Sequence, residues 1–192
     1  MKFFVYILCF IFSFPVFAGD IVKNGAFDKF ASQVSVENVK FTQTKTIPNI
    51  KRNFVSNGFI KFVKNVGFVW VQNLPNSIKF IGTQKQYCVN DEVKNLSDLP
   101  YFSQIQMVVD DLLLGNYKSL NSAFNVDYSD DGENWNLFLT PKNSRISSFI
   151  KVVQVSGDVS LLKEIVIDYS NGMEITIDFE VFKEEISDEI QC

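Results

Sequence analysis

The side chains that most often carry out chemistry in proteins are sparse in this sequence of 192 residues. Histidine is absent, so the chain has no Ser-His-Asp or Cys-His catalytic set and lacks the commonest zinc ligand. A glycine-rich phosphate loop and a Gly-x-Ser-x-Gly nucleophile motif are also missing. Acidic residues are numerous, but nothing in the sequence brings two of them together in a cleft, as glycoside hydrolysis requires. We therefore expect a protein that is not an enzyme and that uses no metal or cofactor.

One acidic segment resembles the first half of a calcium-binding EF-hand loop. It begins at Asp127 and continues through Asp130 and Asp131 to Gly132. The twelfth position of such a loop would be Phe138 rather than Glu, and strand patterns rather than helices flank the segment. We interpret it as a solvated hairpin turn.

Two cysteines, Cys88 and Cys192, follow the N-terminal segment of the chain. In an oxidising compartment they can form a disulfide, which would close a long loop and stabilise the fold. Alternatively, Cys88 packs in a strand and Cys192 lies on the C-terminal tail. Both interpretations stay open at this point.

The first eighteen residues have the pattern of a secretory signal peptide. Lys2 supplies the positive charge, residues 3–14 are apolar, and small residues end the segment at Ala18. We therefore expect residues 1–18 to be removed and residues 19–192 to form one exported domain. The net charge of −4 argues against a nucleic-acid-binding protein, since phosphate binding needs clustered Lys and Arg.

Hydrophobic periodicity predicts a domain made mainly of β-strands. A period of two begins near Val39 and Phe41 and returns most clearly at 173–181, where five apolar residues alternate with polar ones. Helices are expected at 21–33, from Phe102 to Leu114, and around Leu120. Turns are expected at 130–132, 156–158 and 171–172. Further strands are predicted at 54–63, 67–72, 78–82, 84–91, 124–129, 134–140, 148–155 and 161–169.

So many short strands with tight turns favour a strongly curled antiparallel sheet or incomplete β-barrel, an α+β fold with a helical lid. The segment Phe68-Val69-Trp70-Val71 is apolar on both faces of its strand, so it needs apolar neighbours on both sides. Two interpretations follow. The sheet encloses an ordinary packed core, or its apolar lining leaves a pocket for an apolar ligand.

The order and spacing of several segments resemble the LolA family of periplasmic carriers of outer-membrane lipoproteins, in particular its divergent branch. The resemblance covers nearly the whole chain after the leader. The matching segments are Phe41-Thr42-Gln43, Ser56-Asn57-Gly58-Phe59-Ile60, Gly67-Phe68-Val69-Trp70 with Pro75, Gly115-Asn116-Tyr117, and Trp135-Asn136-Leu137-Phe138-Leu139-Thr140-Pro141-Lys142.

This resemblance implies an incomplete barrel whose apolar cavity shelters acyl chains under a helical lid. The partners it implies are an acylated lipoprotein or another lipid, an inner-membrane ABC-type release complex and an outer-membrane acceptor. It also implies a monomer in the periplasm. The lipid-binding residues it implies are Phe41, Phe59, Phe68, Trp70, Phe80, Phe102, Ile105, Val109 and Leu112.

One position departs from the family pattern. Typical carriers have an Arg-Pro pair before the matching Trp, and that Arg latches the lid. This sequence has Lys64-Asn65 there. A lysine is a point donor without the planar fork of arginine, so a latch at Lys64 would be weaker. The alternative to a lipid carrier is a non-catalytic periplasmic structural or interaction domain with a packed barrel core.

Overall fold

The computed structural model describes residues 38–50, 52–63, 67–74, 78–81, 86–89, 92–95, 111 and 117–181. Two helices lie in this part of the chain, α1 (Tyr117–Ala123) and α2 (Ser144–Ser147). The strands are β1 (Asn38–Thr46), β2 (Asn53–Val63), β3 (Gly67–Leu74), β4 (Ile78–Ile81), β5 (Gln86–Val89), β6 (Glu92–Asn95), β7 (Phe124–Asp130), β8 (Asn134–Pro141), β9 (Ile150–Asp158), β10 (Leu162–Tyr169) and β11 (Glu174–Val181).

All eleven strands belong to one antiparallel sheet in the order β6-β5-β4-β3-β2-β1-β11-β10-β9-β8-β7. Consecutive strands pair from β1 to β6 and from β7 to β11, and the pairing of β1 with β11 joins these two halves of the sheet. Among the described residues β6 and β7 are the edge strands and do not pair with each other, so the sheet is not closed. The predicted curled, incompletely closed antiparallel sheet is confirmed.

Alternation along the strands produces two different faces. In β8, Trp135, Leu137 and Leu139 are buried, whereas Asn136 and Phe138 between them are exposed. The register continues this pattern across the sheet, so that the buried side chains of neighbouring strands oppose one another. We call the side that carries these buried residues the apolar face and the other side the polar face.

The apolar face holds the hydrophobic core, and both helices contribute to it. Leu120 of α1 and Ile146 of α2 belong to the same buried cluster as the strand residues. The strand members of this cluster are Val39, Phe41, Ile60, Trp70, Phe124, Trp135, Leu137, Leu139, Ile150, Val153, Val155, Leu162, Ile165, Ile167, Tyr169, Ile175, Ile177 and Phe179.

Polar side chains define the turns. Between β7 and β8, Asp131 Oδ1 accepts hydrogen bonds from the amides of Glu133 and Asn134 at 2.9 and 2.7 Å. Gly132 in this turn has φ 93°, a conformation that favours glycine. At the start of α2, the Asn143 side chain accepts from the Ile146 amide at 2.9 Å, the usual N-cap arrangement.

Three details differ from the sequence-based expectation. Within the segment predicted at 84–91, the structure describes β5 at 86–89, and residues 92–95 form the separate strand β6, whose polar residues gave no alternating signal. Helix α2 was not predicted, because four residues are too few to show helical periodicity. Gly157, predicted in a turn, lies within β9, and the turn is made by the residues after it.

Several predictions lie outside the described residues: the leader at 1–18, the helix at 21–33, and the predicted lid from Phe102 to Leu114 apart from Asp111. Asp111 has a helical backbone and is buried. No helix in the described ranges is long and apolar enough to cross a membrane.

Candidate functional site

Two aromatic side chains meet on the apolar face of β1 and β3. Phe41 and Trp70 are only 2% and 3% exposed, and their ring centroids lie 4.1 Å apart with an interplanar angle of 40°. The strand β2 runs between β1 and β3, so the two rings reach each other across it. The contact concentrates aromatic surface where the sequence analysis expected a ligand.

Gly58 of β2 makes this contact feasible. It pairs directly with Phe41, and a Cβ atom at Gly58 would lie 2.9 Å from the Phe41 ring and 1.9 Å from the carbonyl oxygen of Val71. The register between β2 and β3 shifts next to Gly58, which marks a β-bulge. A bulge beside a glycine bends and twists a sheet, and an aromatic ring can fill the space above the glycine.

The other half of the sheet has a second glycine beside a buried aromatic ring and a register shift. A Cβ at Gly157 of β9 would lie 2.3 Å from Cζ2 of Trp135 and 2.6 Å from the carbonyl oxygen of Leu161. A register shift between β9 and β10 again lies beside it, at Leu162. The sheet is therefore bent in each half by a glycine, a bulge and a buried aromatic ring.

Hydrogen bonds hold Trp135 and the adjacent turn in place. The indole Nε1 of Trp135 donates to the carbonyl oxygen of Asp158 at 2.8 Å. The Asp158 carboxylate accepts from the amides of Ser160 and Leu161 at 2.7 and 2.9 Å, and Lys163 lies 3.1 Å away. Burial alone would raise the pKa of Asp158, but the hydrogen bonds, first those from Ser160, lower it to about 2.

Some of the predicted lipid-binding residues lie in described strands, and others lie outside the described residues. It brings Phe41 and Trp70 together, and it places Phe68 in β3, with Phe80 of β4 directly opposite Trp70 in the register. Cys88 lies in β5. The predicted lid residues Phe102, Ile105, Val109 and Leu112, the latch at Lys64, and Cys192 lie outside the described residues.

Phe59 is separated from Phe41 and Trp70. It is half-buried and directly opposes Lys40 of β1, on the polar face. There it borders a depression of about 450 Å³ whose other lining residues include Asn57, Asn73 and Glu180. Because successive residues of a strand point to opposite faces, Phe59 lies on the face opposite the contact between the Phe41 and Trp70 rings, and its predicted role in lipid binding stays a prediction.

Strand β3 is apolar on both sides, as its sequence predicts. Trp70 is buried on the apolar face, and its neighbour Val69 is 7% exposed although it points the other way. Val71 is half-buried.

The role of Gly58 was missed, although an isolated glycine inside a strand pattern is a usual signal of a bulge.

Of the acidic segment at 127–132, residues 127–130 lie in β7, and the hairpin turn that the sequence suggested begins at Asp131. Asp130 Oδ1 accepts from the Gly132 amide at 2.6 Å, and the Tyr128 hydroxyl donates to the other carboxylate oxygen of Asp130. Backbone hydrogen bonds from Asn134 and Glu133 lower the pKa of Asp131. Within the described residues, no three Cys, Asp or Glu side chains lie together in a way that could hold a metal ion.

The fold and the site define a class of protein: an open, curled antiparallel sheet with one apolar face on which aromatic residues gather. No protein-family model matches the sequence, and no curated protein matches it.

Similarity to solved structures is distant. A LolA superfamily protein from Nitrosomonas europaea is 11% identical, with a TM-score of 0.45, over 88% of this chain and 97% of that one. A DUF1329 family protein from Desulfovibrio piger is 11% identical, with a TM-score of 0.40, over 85% and 94% of the two chains. MucB, solved in complex with the periplasmic part of MucA, is 10% identical, with a TM-score of 0.37, over 78% and 52%. None of the three assigns a family or an activity to this chain.

Proposed function

We propose that this protein is a periplasmic carrier that shelters the acyl chains of lipoproteins or of other lipids between the inner and the outer membrane. The observation that carries the proposal is the contact between Phe41 and Trp70 on the buried apolar face of an open, curled sheet. The segments that resemble the LolA family include both residues.

The geometry suits an apolar ligand for two reasons. Because the sheet is not closed, an acyl chain could reach its apolar face at an edge strand without unfolding of the domain. Among the described strands, the β1–β11 ladder is the one set of strand hydrogen bonds between the two halves, and Phe41 of the aromatic pair lies in it. Small changes of curvature at Gly58 would therefore change the space beside Phe41 and Trp70.

A carrier of this kind needs no chemical step. Each methylene that leaves water contributes about 0.8 kcal/mol, so an acyl chain binds to an apolar face without polar contacts. Phe68 of β3 and Phe80 of β4, which pairs with Trp70 in the register, are further candidates for contact with an acyl chain, and the segment with Phe102, Ile105, Val109 and Leu112 would cover it. A lid held only by a lysine at position 64 would open at low cost and favour release.

A second candidate is a structural or interaction domain with a packed core. It is favoured by the continuity of the buried cluster, which extends without a break from Phe41 and Trp70 into the half that contains Trp135. The two candidates differ in whether a lipid can reach the surface of Trp70.

The two tryptophans provide the test, since the chain has only Trp70 and Trp135. Replacing Trp135→Phe leaves Trp70 as the reporter, and replacing Trp70→Phe leaves Trp135. A bromine-labelled fatty acid quenches tryptophan fluorescence only at contact distance. We expect saturable quenching in the Trp135→Phe variant and little quenching in the Trp70→Phe variant.

The unlabelled fatty acid serves as a competitor and circular dichroism as the check that each variant is folded. Co-purified lipid in a native mass spectrum of the wild-type protein would support the carrier independently. Equal quenching of both variants would indicate non-specific binding. Absence of quenching in folded Trp135→Phe protein would contradict the carrier and favour the packed interaction domain.

A further inference from the structure

The hairpin that joins β1 and β2 has a hydrogen-bonded turn at residues 47–50. The amide of Ile50 donates to the carbonyl oxygen of Ile47 at 3.2 Å, with Pro48 and Asn49 between them. Asn49 has φ 67°, so the turn has the residue pattern of a type II turn, with Pro first and a left-handed residue second. Pro48 also lies against Gly172, because a Cβ there would be 3.1 Å from Cγ of the proline. The tip is thus supported by the β10–β11 turn.

This hairpin exposes large apolar side chains on both of its faces. Ile50 is 45% exposed, Phe54 52% and Val55 56%. Phe54 and Val55 are consecutive in β2, so they point to opposite faces, and neither face of the hairpin end is covered. Elsewhere in the described residues, exposed large apolar side chains occur singly, as at Val93, Phe138 and Val181. Scattered ones are ordinary, whereas a group of them at one hairpin end marks an interaction site.

The charge around the hairpin is entirely positive along the sequence. Positions 38–90 contain eight Lys or Arg residues and no Asp or Glu, although the whole chain has 18 basic and 22 acidic residues. Within the hairpin, Lys45 pairs directly with Phe54, and the exposed Arg52 lies two residues before it. The acidic residue nearest in the register is Glu174, opposite Thr46. Exposed apolar and cationic side chains therefore lie side by side at the tip.

We infer that the β1–β2 hairpin is a docking site for an anionic lipid surface. Side chains of this size at a hairpin tip can insert to the level of the acyl boundary, while adjacent cations contact phosphate head groups. An anionic lipid surface matches both features at once, because its phosphates match the charges of Lys45 and Arg52 and its acyl boundary matches the apolar side chains of the tip. The inference rests on the hairpin alone and does not depend on what the apolar face carries.

The experiment measures sedimentation of the full chain with vesicles. One set contains equal parts of phosphatidylglycerol and phosphatidylcholine, and the other contains phosphatidylcholine alone. We expect binding to the first set that weakens with added salt, and much weaker binding to the second. Phe54→Ser should lower the affinity about tenfold to a hundredfold. Arg52→Gln should lower it about fivefold, since each cation near an anionic surface contributes a similar factor.

Matched controls replace residues of the same kind elsewhere. Phe138→Ser removes an exposed phenylalanine of β8, and Lys151→Gln removes an exposed cation of β9. Both should bind vesicles as the wild type does. Fatty-acid quenching of Trp70, measured in a Phe54→Ser variant that also lacks Trp135, should be unchanged, so failure here and failure of the carrier proposal are distinguishable.

Several results would overturn the inference. One is the absence of binding to the anionic vesicles, and another is an equal loss in the hairpin and control variants. A third is tighter binding of a short DNA oligonucleotide than of vesicles, which would make the basic stretch a nucleic-acid surface. A fourth is a wild-type dimer that Phe54→Ser dissociates, because the tip would then cover a second copy of the chain.

Discussion

The replacement Gly58→Ala tests how the sheet brings Phe41 and Trp70 together. The new methyl group would lie 1.9 Å from the carbonyl oxygen of Val71 and 2.9 Å from the ring of Phe41. Real Cβ contacts are essentially never shorter than 3.0 Å, so β2 and β3 must separate by about 1 Å at this point. The clash involves backbone, which cannot turn away as a flexible side chain can.

The expected cost follows from these distances. Overpacking a well-packed site costs about 1–3 kcal/mol. Straining hydrogen bonds of the β2–β3 ladder adds about 1 kcal/mol for each bond affected. We therefore expect Gly58→Ala to lower the free energy of unfolding by about 3 kcal/mol or more. For a domain of this size that corresponds to a fall in melting temperature of about 6 °C or more.

Gly132→Ala is the matched control. Gly132 has φ 93° and open space around the missing Cβ, so its replacement costs only backbone strain, about 1 kcal/mol. Gly58 does not have a positive φ, so its cost is steric alone. In thermal unfolding followed by circular dichroism, the melting temperature of Gly58→Ala should lie well below that of Gly132→Ala. A Gly58→Ala protein that melts with the wild type, or above Gly132→Ala, would refute the account of the bulge.

Three further predictions concern the other half of the sheet. Asp158→Asn should destabilise the protein at neutral pH. Since the pKa in the folded state, about 2, lies below the unfolded value near 3.8, the difference from wild type should shrink as pH falls from about 4 to 2 in urea titrations. Leu139→Ala should lower the unfolding free energy by about 2–5 kcal/mol, whereas Phe138→Ala beside it should change it by about 0.5 kcal/mol or less. Asn143→Ala should cost about 1 kcal/mol in the same assay, because it removes the acceptor for the Ile146 amide. Equal losses of unfolding free energy in Phe138→Ala and Leu139→Ala would contradict the assignment of the buried face of β8. A loss in Asp158→Asn that does not change with pH would contradict the role given to the Asp158 carboxylate.

Most of the sheet was predictable because its strands repeat a period of two over many residues. In β11, Ile175, Ile177 and Phe179 alternate with acidic and polar residues, so both the strand and its buried face follow from the sequence. The short strand β6 was not predictable, since Glu92 to Asn95 contain one apolar residue and all four are exposed. Its position follows from pairing with β5 rather than from its own composition.

The candidate site was predictable in its residues and not in its geometry. Phe41 and Trp70 stood out by type, but their contact depends on a register and a bulge that bring non-adjacent strands together. A shift of β1 by one residue would place the Phe41 ring on the other face, away from Trp70. Phe59 shows the same limit, because Phe59 and Ile60 are both apolar and the local pattern does not indicate which of them faces the core.

The ladder between β1 and β11 has a kinetic consequence. Every other ladder joins consecutive strands and can form as soon as a hairpin has been made, whereas this one must wait for the last strand of the sheet. Until then β1 offers a bare row of amide and carbonyl groups to any extended polypeptide nearby. A chain emerging N terminus first is thus most prone to aggregate or to exchange strands while it lacks Glu174–Val181. A chaperone that shields β1 during that interval would protect the newly made protein at its most vulnerable stage.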